Sequence, residues 1–435
     1  MRNEQSTMIN EFSLLGPPLS LPLSRVGERE ADNSFLCFSP ALGRGERTEV
    51  WGRVGAQLVL SQLSSYEHGD SICLNAGLNS MDPVSYSIAV LPGDGIGLEV
   101  MEEGLAALRT VESKLSDIHF VYTDYLVGAG EYLRHGDPLP AGILEALKQH
   151  DAILLGAMGL PEIRWPDGVE MTPQIDIREQ LDLYCGLRPI HLYHKDHSPL
   201  KNLRGGEIDL LIVRESTEGL FSERHKKQAP GSNEVCDTLR VTRFRSERLF
   251  RAAFRHAARR RGRLALVDKA NVLPSMAYFR QIFDEVSSEF PGVETEKIYV
   301  DAASLYLLQR PETFDVLVTE NMFGDILSDL AAGLIGGMGM APSADLGDHF
   351  GVFQPCHGSA PDIAGQGIAN PVAMILSVAM LLEWLDHPKT IRGASFIRSA
   401  VESVLRKPAN RTRDLGGNLS TREMGDRIIQ EVEKL

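Results

Sequence analysis

The sequence predicts an α/β protein with a largely parallel sheet, and three observations carry that prediction. Short apolar runs recur at 87–91, 153–156, 208–213, 264–267, 298–300 and 316–318, each of strand length. Helical stretches such as 98–115, 247–260 and 275–290 alternate with them. A glycine-rich turn, Gly93-Asp94-Gly95-Ile96-Gly97, joins the first strand to the first helix. Its spacing is not GxGxxG, so the expectation is not a Rossmann fold. The apolar stretch 371–384 falls short of the roughly 18 residues of a membrane span and reads as a buried helix.

The chain has 435 residues, enough for two or three domains, with 43% hydrophobic and 24% charged residues. A net charge of -15 argues against a nucleic-acid or anionic-membrane partner. A small anionic substrate stays open, because a local arginine cluster can overrule the global field. Cys37, Cys73, Cys185, Cys236 and Cys356 lie far apart with no CxxC pair, a pattern suited to a reducing cytoplasm. No internal repeats are found. Residues 1–80 hold no lysine, and the first is Lys114. They are rich in Ser, Gly, Leu and Arg and show no sustained period. They match neither a signal peptide nor a transit peptide. The expectation is a disordered extension or an over-extended reading frame with Met81 as natural start, the alternative being a genuine appendage.

Five motifs could carry chemistry. The turn at 93–97 permits positive φ and close approach of a ligand, or is a tight turn with no ligand. Asp325 and Asp329, in Asn321-Met-Phe-Gly-Asp-Ile-Leu-Ser-Asp329, are four apart and share a helix face. Like charges there repel, so either they hold a hard divalent cation, Mg²⁺ or Mn²⁺, or they complement the helix dipole. Arg178, Arg188 and Arg214 could grip a dicarboxylate bidentately, although each alone could be a surface ion pair. Lys269, in Val267-Asp-Lys-Ala-Asn271, could act as a base or be merely solvated. The small-residue loop His357-Gly-Ser-Ala-Pro-Asp-Ile-Ala-Gly365, continuing to Asn370-Pro371, could wrap an adenosine with Asp362 on the ribose, or be a structured turn. Two further features read as solvated surface. They are His191, His194 and His197, spaced by three, and the basic run Arg255, Arg259, Arg260, Arg261 and Arg263.

Together, in this order and spacing, the motifs are specific. From Ser87 to about Trp384 the chain resembles the β-decarboxylating dehydrogenases, which act on isocitrate, isopropylmalate, homoisocitrate, tartrate or D-malate. The resemblance to the isopropylmalate branch is closest in Val267-Asp-Lys-Ala-Asn-Val272, Phe323-Gly-Asp-Ile-Leu-Ser-Asp-Leu330 and His357–Gly365. It implies the two-domain fold of that family, with mostly parallel sheets flanked by helices. Residues 85–183 with 336–435 would form a discontinuous cofactor domain, and 184–335 a dimerisation and substrate domain. The partner in a homodimer would complete each active site.

Carried over by motif, Arg178, Arg188 and Arg214 would bind substrate carboxylates. Asp325 and Asp329, with Asp301 from the other subunit, would hold the metal. Lys269, also from that subunit, would assist proton transfer. Asn271 would lie near the nicotinamide, and His357, Gly358, Ser359, Ala360, Asp362, Ile363 and Asn370 would hold the dinucleotide. The family's reaction is metal-assisted oxidation of a malate-type 2-hydroxy acid followed by β-decarboxylation. NADP-dependent relatives carry lysine where this chain has Asp362, so the cofactor implied is NAD.

Three positions depart from the family pattern. Phe221 stands where a tyrosine protonates the enol, a general acid whose loss typically costs about 10²- to 10⁴-fold. Gln174 and Ile175 replace a leucine pair that packs on the isopropyl group, leaving a half-polar pocket. Gln354 replaces a glutamate. An isopropylmalate-like decarboxylating dehydrogenase is therefore expected. A tartrate- or D-malate-type enzyme, and oxidation without decarboxylation, are alternatives. A catalytically weak relative serving in binding or assembly is a reading of another class.

Overall fold

A computed structural model of the protein describes residues 83–201, 203, 207–226, 231 and 233–435. The extension 1–80 and the Met81 start lie outside the described residues. Ten strands form one sheet: β1 (Val84–Gly93), β2 (Ile118–Asp124), β3 (Ala152–Ala157), β4 (Cys185–His191), β5 (Asp209–Glu215), β6 (Arg263–Asp268), β7 (Glu294–Tyr299), β8 (Val316–Thr319), β9 (Pro342–Leu346) and β10 (Gly351–Pro355). Their order is β2-β1-β3-β10-β9-β4-β5-β8-β6-β7. Pairing is parallel on both flanks and antiparallel only at β10–β9, β9–β4 and β4–β5 in the centre. The α/β class and the mostly parallel pairing agree with the sequence.

Helices cover the faces, so β3 and β8 are buried along their whole length and read as unbroken apolar runs. Helix Val372–Trp384 is apolar all round because its residues 372–382 are all buried. Among the described residues no helix is long and apolar enough to cross a membrane.

The sequence analysis missed β2, β4, β9 and β10. Prolines 189, 342 and 355 interrupt the strand signature in three of them. Val300, expected in a strand, opens helix Val300–Gln309. The histidine triplet is not uniformly solvated. His197 is 5% exposed, and neither ring nitrogen has a hydrogen-bond partner. The basic run is partly an ion-pair network: Arg260 reaches Asp209 and the buried Asp315 at 3.0 and 2.8 Å.

The 93–97 turn is a joint between chain segments. Gly93 and Gly95 have φ of 76° and 58°. Buried Asp94 accepts hydrogen bonds from the amides of Ala129, Gly130 and Gly159 at 2.8, 2.8 and 2.9 Å. Ile96 N donates to Ser359 O at 2.8 Å, and a Cβ on Gly95 would lie 2.0 Å from that oxygen. Two helical residues on, Glu99 accepts from the amides of Gly365 and Gly367. The first βα turn thus carries the 357–367 loop.

Asp94→Ala leaves three backbone donors without their acceptor and is expected to lower unfolding free energy by about 3 kcal/mol in equilibrium denaturation. A loss under about 1 kcal/mol would mean that water replaces the carboxylate. Burial, followed by the nearby Arg411 charge, lowers the His197 imidazole from 6.5 to about 4. Below its ordinary value the unfolded chain takes up a proton that the folded chain refuses. His197 therefore contributes stability above pH 6.5 that is lost as pH falls toward 4. Denaturation midpoints of His197→Gln should fall less over that window than those of the wild type. Equal slopes would contradict it.

Candidate active site

The site is built on the helix Asn321–Gly333, which follows β8. Glu320 caps it, accepting from Phe323 N and Met322 N at 2.6 and 3.1 Å. No acid lies in its first turn, so Asp325 and Asp329 are not placed to act as dipole caps. They project from one helix face toward the same cavity. Gly324 lets Arg214 lie across the helix start, since a Cβ there would be 2.7 Å from Arg214 Cγ. Arg214 donates from Nε and Nη2 to Asn321 Oδ1 at 3.0 and 2.8 Å, and from Nη1 to Asp325. Partial burial and then the Asp325 charge push the Asp329 carboxyl above its ordinary value. The hard oxygen donors of the pair fit a divalent cation.

Arg178, Arg188 and Arg214 line one cavity of about 250 Å³ with Asp325 and Asp329. Arg178 comes from helix Pro173–Gln180, Arg188 from β4 and Arg214 from β5. A fully buried carboxylate, Asp345 of β9, meets Arg178 Nε at 2.9 Å and Arg188 Nη2 at 3.3 Å. Burial would raise the Asp345 carboxyl, but Arg178, Arg188 and Arg214 together hold it below its ordinary value. Burial lowers the Arg178 guanidinium to about 10, so it stays charged at neutral pH.

Gln174, Ile175, Phe221 and Gln354 line the same cavity. Gln174 Oε1 is buried without a hydrogen-bond partner. The Phe221 ring lies 5.8 Å from the Arg214 guanidinium carbon. Arg224, three residues on, bonds Asp176 and Glu179 and so ties the Phe221 segment to helix Pro173–Gln180.

The loop 357–370 borders the cavity through His357 and Gly358. A Cβ at Gly358 would meet nothing within 4 Å, so this backbone has open space beside it. Ser359 is buried and bonds Gly159 O. Ala360 is held at φ 38°, Ile363 N donates to Ala360 O at 3.1 Å, and Asp362 is exposed. The Asn370 amide is engaged internally, accepting from Val372 N at 3.1 Å and donating to Asp414 at 3.0 Å.

Lys269 and Asp301 form an ion pair at 2.9 Å, and with the exposed Asn271 they do not line the cavity. Among the described residues no three His, Cys, Asp or Glu side chains are grouped to hold a metal. One chain thus brings together the arginines and the aspartate pair, but not Asp301, Lys269 or Asn271. Sequence reasoning missed Asp345 and Glu99. The signal for Asp345 was an acid inside a strand otherwise free of charge, because aspartate is rarely fully buried unless paired.

Known proteins share this architecture. The isocitrate/isopropylmalate dehydrogenase family model matches residues 87–428. The 3-isopropylmalate dehydrogenase of Moorella thermoacetica is 44% identical over 362 residues, covering 80% of this chain and 99% of that one. That of Aquifex aeolicus is 40% identical over 362 residues, covering 80% and 98%. The crystal structure of isocitrate dehydrogenase from Methylococcus capsulatus superposes with a TM-score of 0.73 at 34% identity, covering 80% of this chain and 99% of its own. A β-decarboxylating dehydrogenase from Thermococcus kodakarensis gives 0.66 at 37% identity, covering 80% and 96%. With sequence and fold agreeing, the chain belongs to the isocitrate/isopropylmalate dehydrogenase family and is a hydroxy-acid dehydrogenase.

Proposed function

We propose that the protein oxidises a malate-type 2-hydroxy dicarboxylate with NAD and Mg²⁺ or Mn²⁺, in the manner of 3-isopropylmalate dehydrogenase. The observation that carries this reading is one cavity holding three guanidiniums beside a pair of carboxylates. Arg178, Arg188 and Arg214 bind and orient the substrate carboxylates. Asp325 and Asp329 would hold the cation, which supplies Lewis acidity toward the substrate hydroxyl when bound. The 357–363 loop and Asp362 would hold NAD, which supplies the hydride acceptor.

Lys269 and Asp301 act in this reading from the partner subunit of a homodimer, Lys269 taking the hydroxyl proton. An exposed apolar face supports this. Val272, Leu305, Leu308 and Ile326 are 64, 50, 45 and 57% exposed beside Lys269, Asp301 and Asp325. Residues 85–183 with 336–435 are proposed as the cofactor domain and 184–335 as the dimerisation domain. The return of β9 and β10 between β3 and β4 supports that partition. A cytoplasmic location suits the free thiols of Cys185 and Cys356.

Two observations favour a second reading within the same class. Phe221 offers no hydroxyl to protonate an enol, which favours oxidation without decarboxylation. The unpartnered Gln174 Oε1 favours a hydroxyl-bearing substituent, as in a tartrate-type substrate.

A panel of 3-substituted malates with NAD and Mn²⁺ should yield NADH and CO₂ in equal amounts from one of them. NADH without CO₂ would establish the second reading, and no NADH from any would sink both. The exposed Asp362 carboxylate should favour NAD over NADP by roughly 100-fold in kcat/KM, with Asp362→Lys narrowing that ratio. Comparable efficiency of the wild type with both cofactors would overturn this assignment.

A further inference from the structure

Asp345 is 0% exposed and does not line the cavity, so it cannot touch a substrate there. Four polar side chains converge on it. Arg178 and Arg188 approach at 2.9 and 3.3 Å, Gln354 Nε2 donates at 2.8 Å and Ser216 Oγ donates at 3.2 Å. They come from helix Pro173–Gln180, β4, β10 and the segment after β5. Gly186 faces Asp345 in the β4–β9 register and makes the room. A Cβ there would lie 2.5 Å from Ser216 Oγ and 3.0 Å from Asp345 Oδ1. The carboxylate is therefore built into the sheet, and both guanidiniums that it touches also line the cavity.

We propose that Asp345 is the positioning residue for Arg178 and Arg188, and that its charge matches the cavity to a substrate with two carboxylates in preference to three. The proposal rests on the reading of those arginines as substrate anchors. Three guanidiniums, of Arg178, Arg188 and Arg214, stand against three carboxylates, of Asp325, Asp329 and Asp345. The side chains are thus balanced, and a divalent cation at the aspartate pair leaves two positive charges to meet. A dicarboxylate meets them. A third carboxylate has no counter-charge among these side chains. Without Asp345, one more anionic group is accommodated, but Arg188 loses its acceptor and Arg178 the counter-charge that holds it in place.

The test uses Asp345→Asn, which keeps the shape and removes the charge. Binding of two unreactive anions, succinate and propane-1,2,3-tricarboxylate, is measured by calorimetry with Mg²⁺ present. Steady-state kinetics on the preferred malate accompany it. The wild type should bind succinate at least about tenfold tighter than the tricarboxylate, and the variant should bring the two within about threefold. The variant's KM should rise about tenfold or more while kcat moves far less, a split that general loosening of the fold would not give. Should the Asn variant not fold, Asp345→Ser leaves space for added formate, which should restore succinate affinity. Wild-type selectivity and KM in the Asn variant, or no formate rescue in the Ser variant, would overturn the role of Asp345 alone. A wild type that neither binds succinate nor oxidises any hydroxy dicarboxylate would overturn the functional reading and this proposal with it.

Discussion

Three guanidiniums crowded around one cavity repel each other, and the molecule is organised around the carboxylate that lets two of them coexist. Asp345 is fully buried, so its ion pairs with Arg178 and Arg188 act in a weakly screened interior. Such pairs are poor sources of net stability, because desolvation offsets attraction. Breaking one from one side is nevertheless expensive, about 3 to 5 kcal/mol, since a buried charge is left alone. The arrangement therefore fixes geometry more than it adds stability. The antiparallel centre of the sheet is where these partners converge. β9 lies between β10 and β4, where one side chain can reach residues of β4, β10 and helix Pro173–Gln180 at once.

Much of the site was legible in the sequence, because spacing along a helix or loop fixes direction. Asp325 and Asp329 at i and i+4 must share a face, and the structure turns that face to the cavity with the arginines. The choice between metal and cap was not legible. The capping alternative loses its support only in the structure, where Glu320, one residue before the helix, takes that role. The flanking strands β3, β5, β6 and β8 were visible as apolar runs. The central ones were not, because β4 and β9 carry Arg188 and Asp345 inward and prolines break their pattern. Those two residues pair with each other across 157 positions, and no local period records such a pair.

The division of the site between surfaces follows from the same geometry. Lys269 follows the end of β6 and Asp301 lies in the first turn of the helix after β7, and the two form an ion pair near exposed Val272 and Leu305. Asp325 and Asp329 face a cavity that neither Lys269 nor Asp301 lines. In the homodimer proposed above, assembly would be coupled to turnover. Arg224 anchors the Phe221 segment to Asp176 and Glu179 whatever the ring carries.

The order of the strands also bears on how the chain is made. β3 ends at Ala157, but its neighbour β10 begins only at Gly351. The first long helix, Gly97–Lys114, packs against the last, Thr421–Lys434. At ribosomal rates the gap between β3 and β10 lasts roughly ten to forty seconds. Throughout that time one edge of β3 and the apolar side of the first helix have no native cover. The sheet thus closes only after β10 is made, late in synthesis, and its exposure to misassembly before then follows from topology, whatever its final stability.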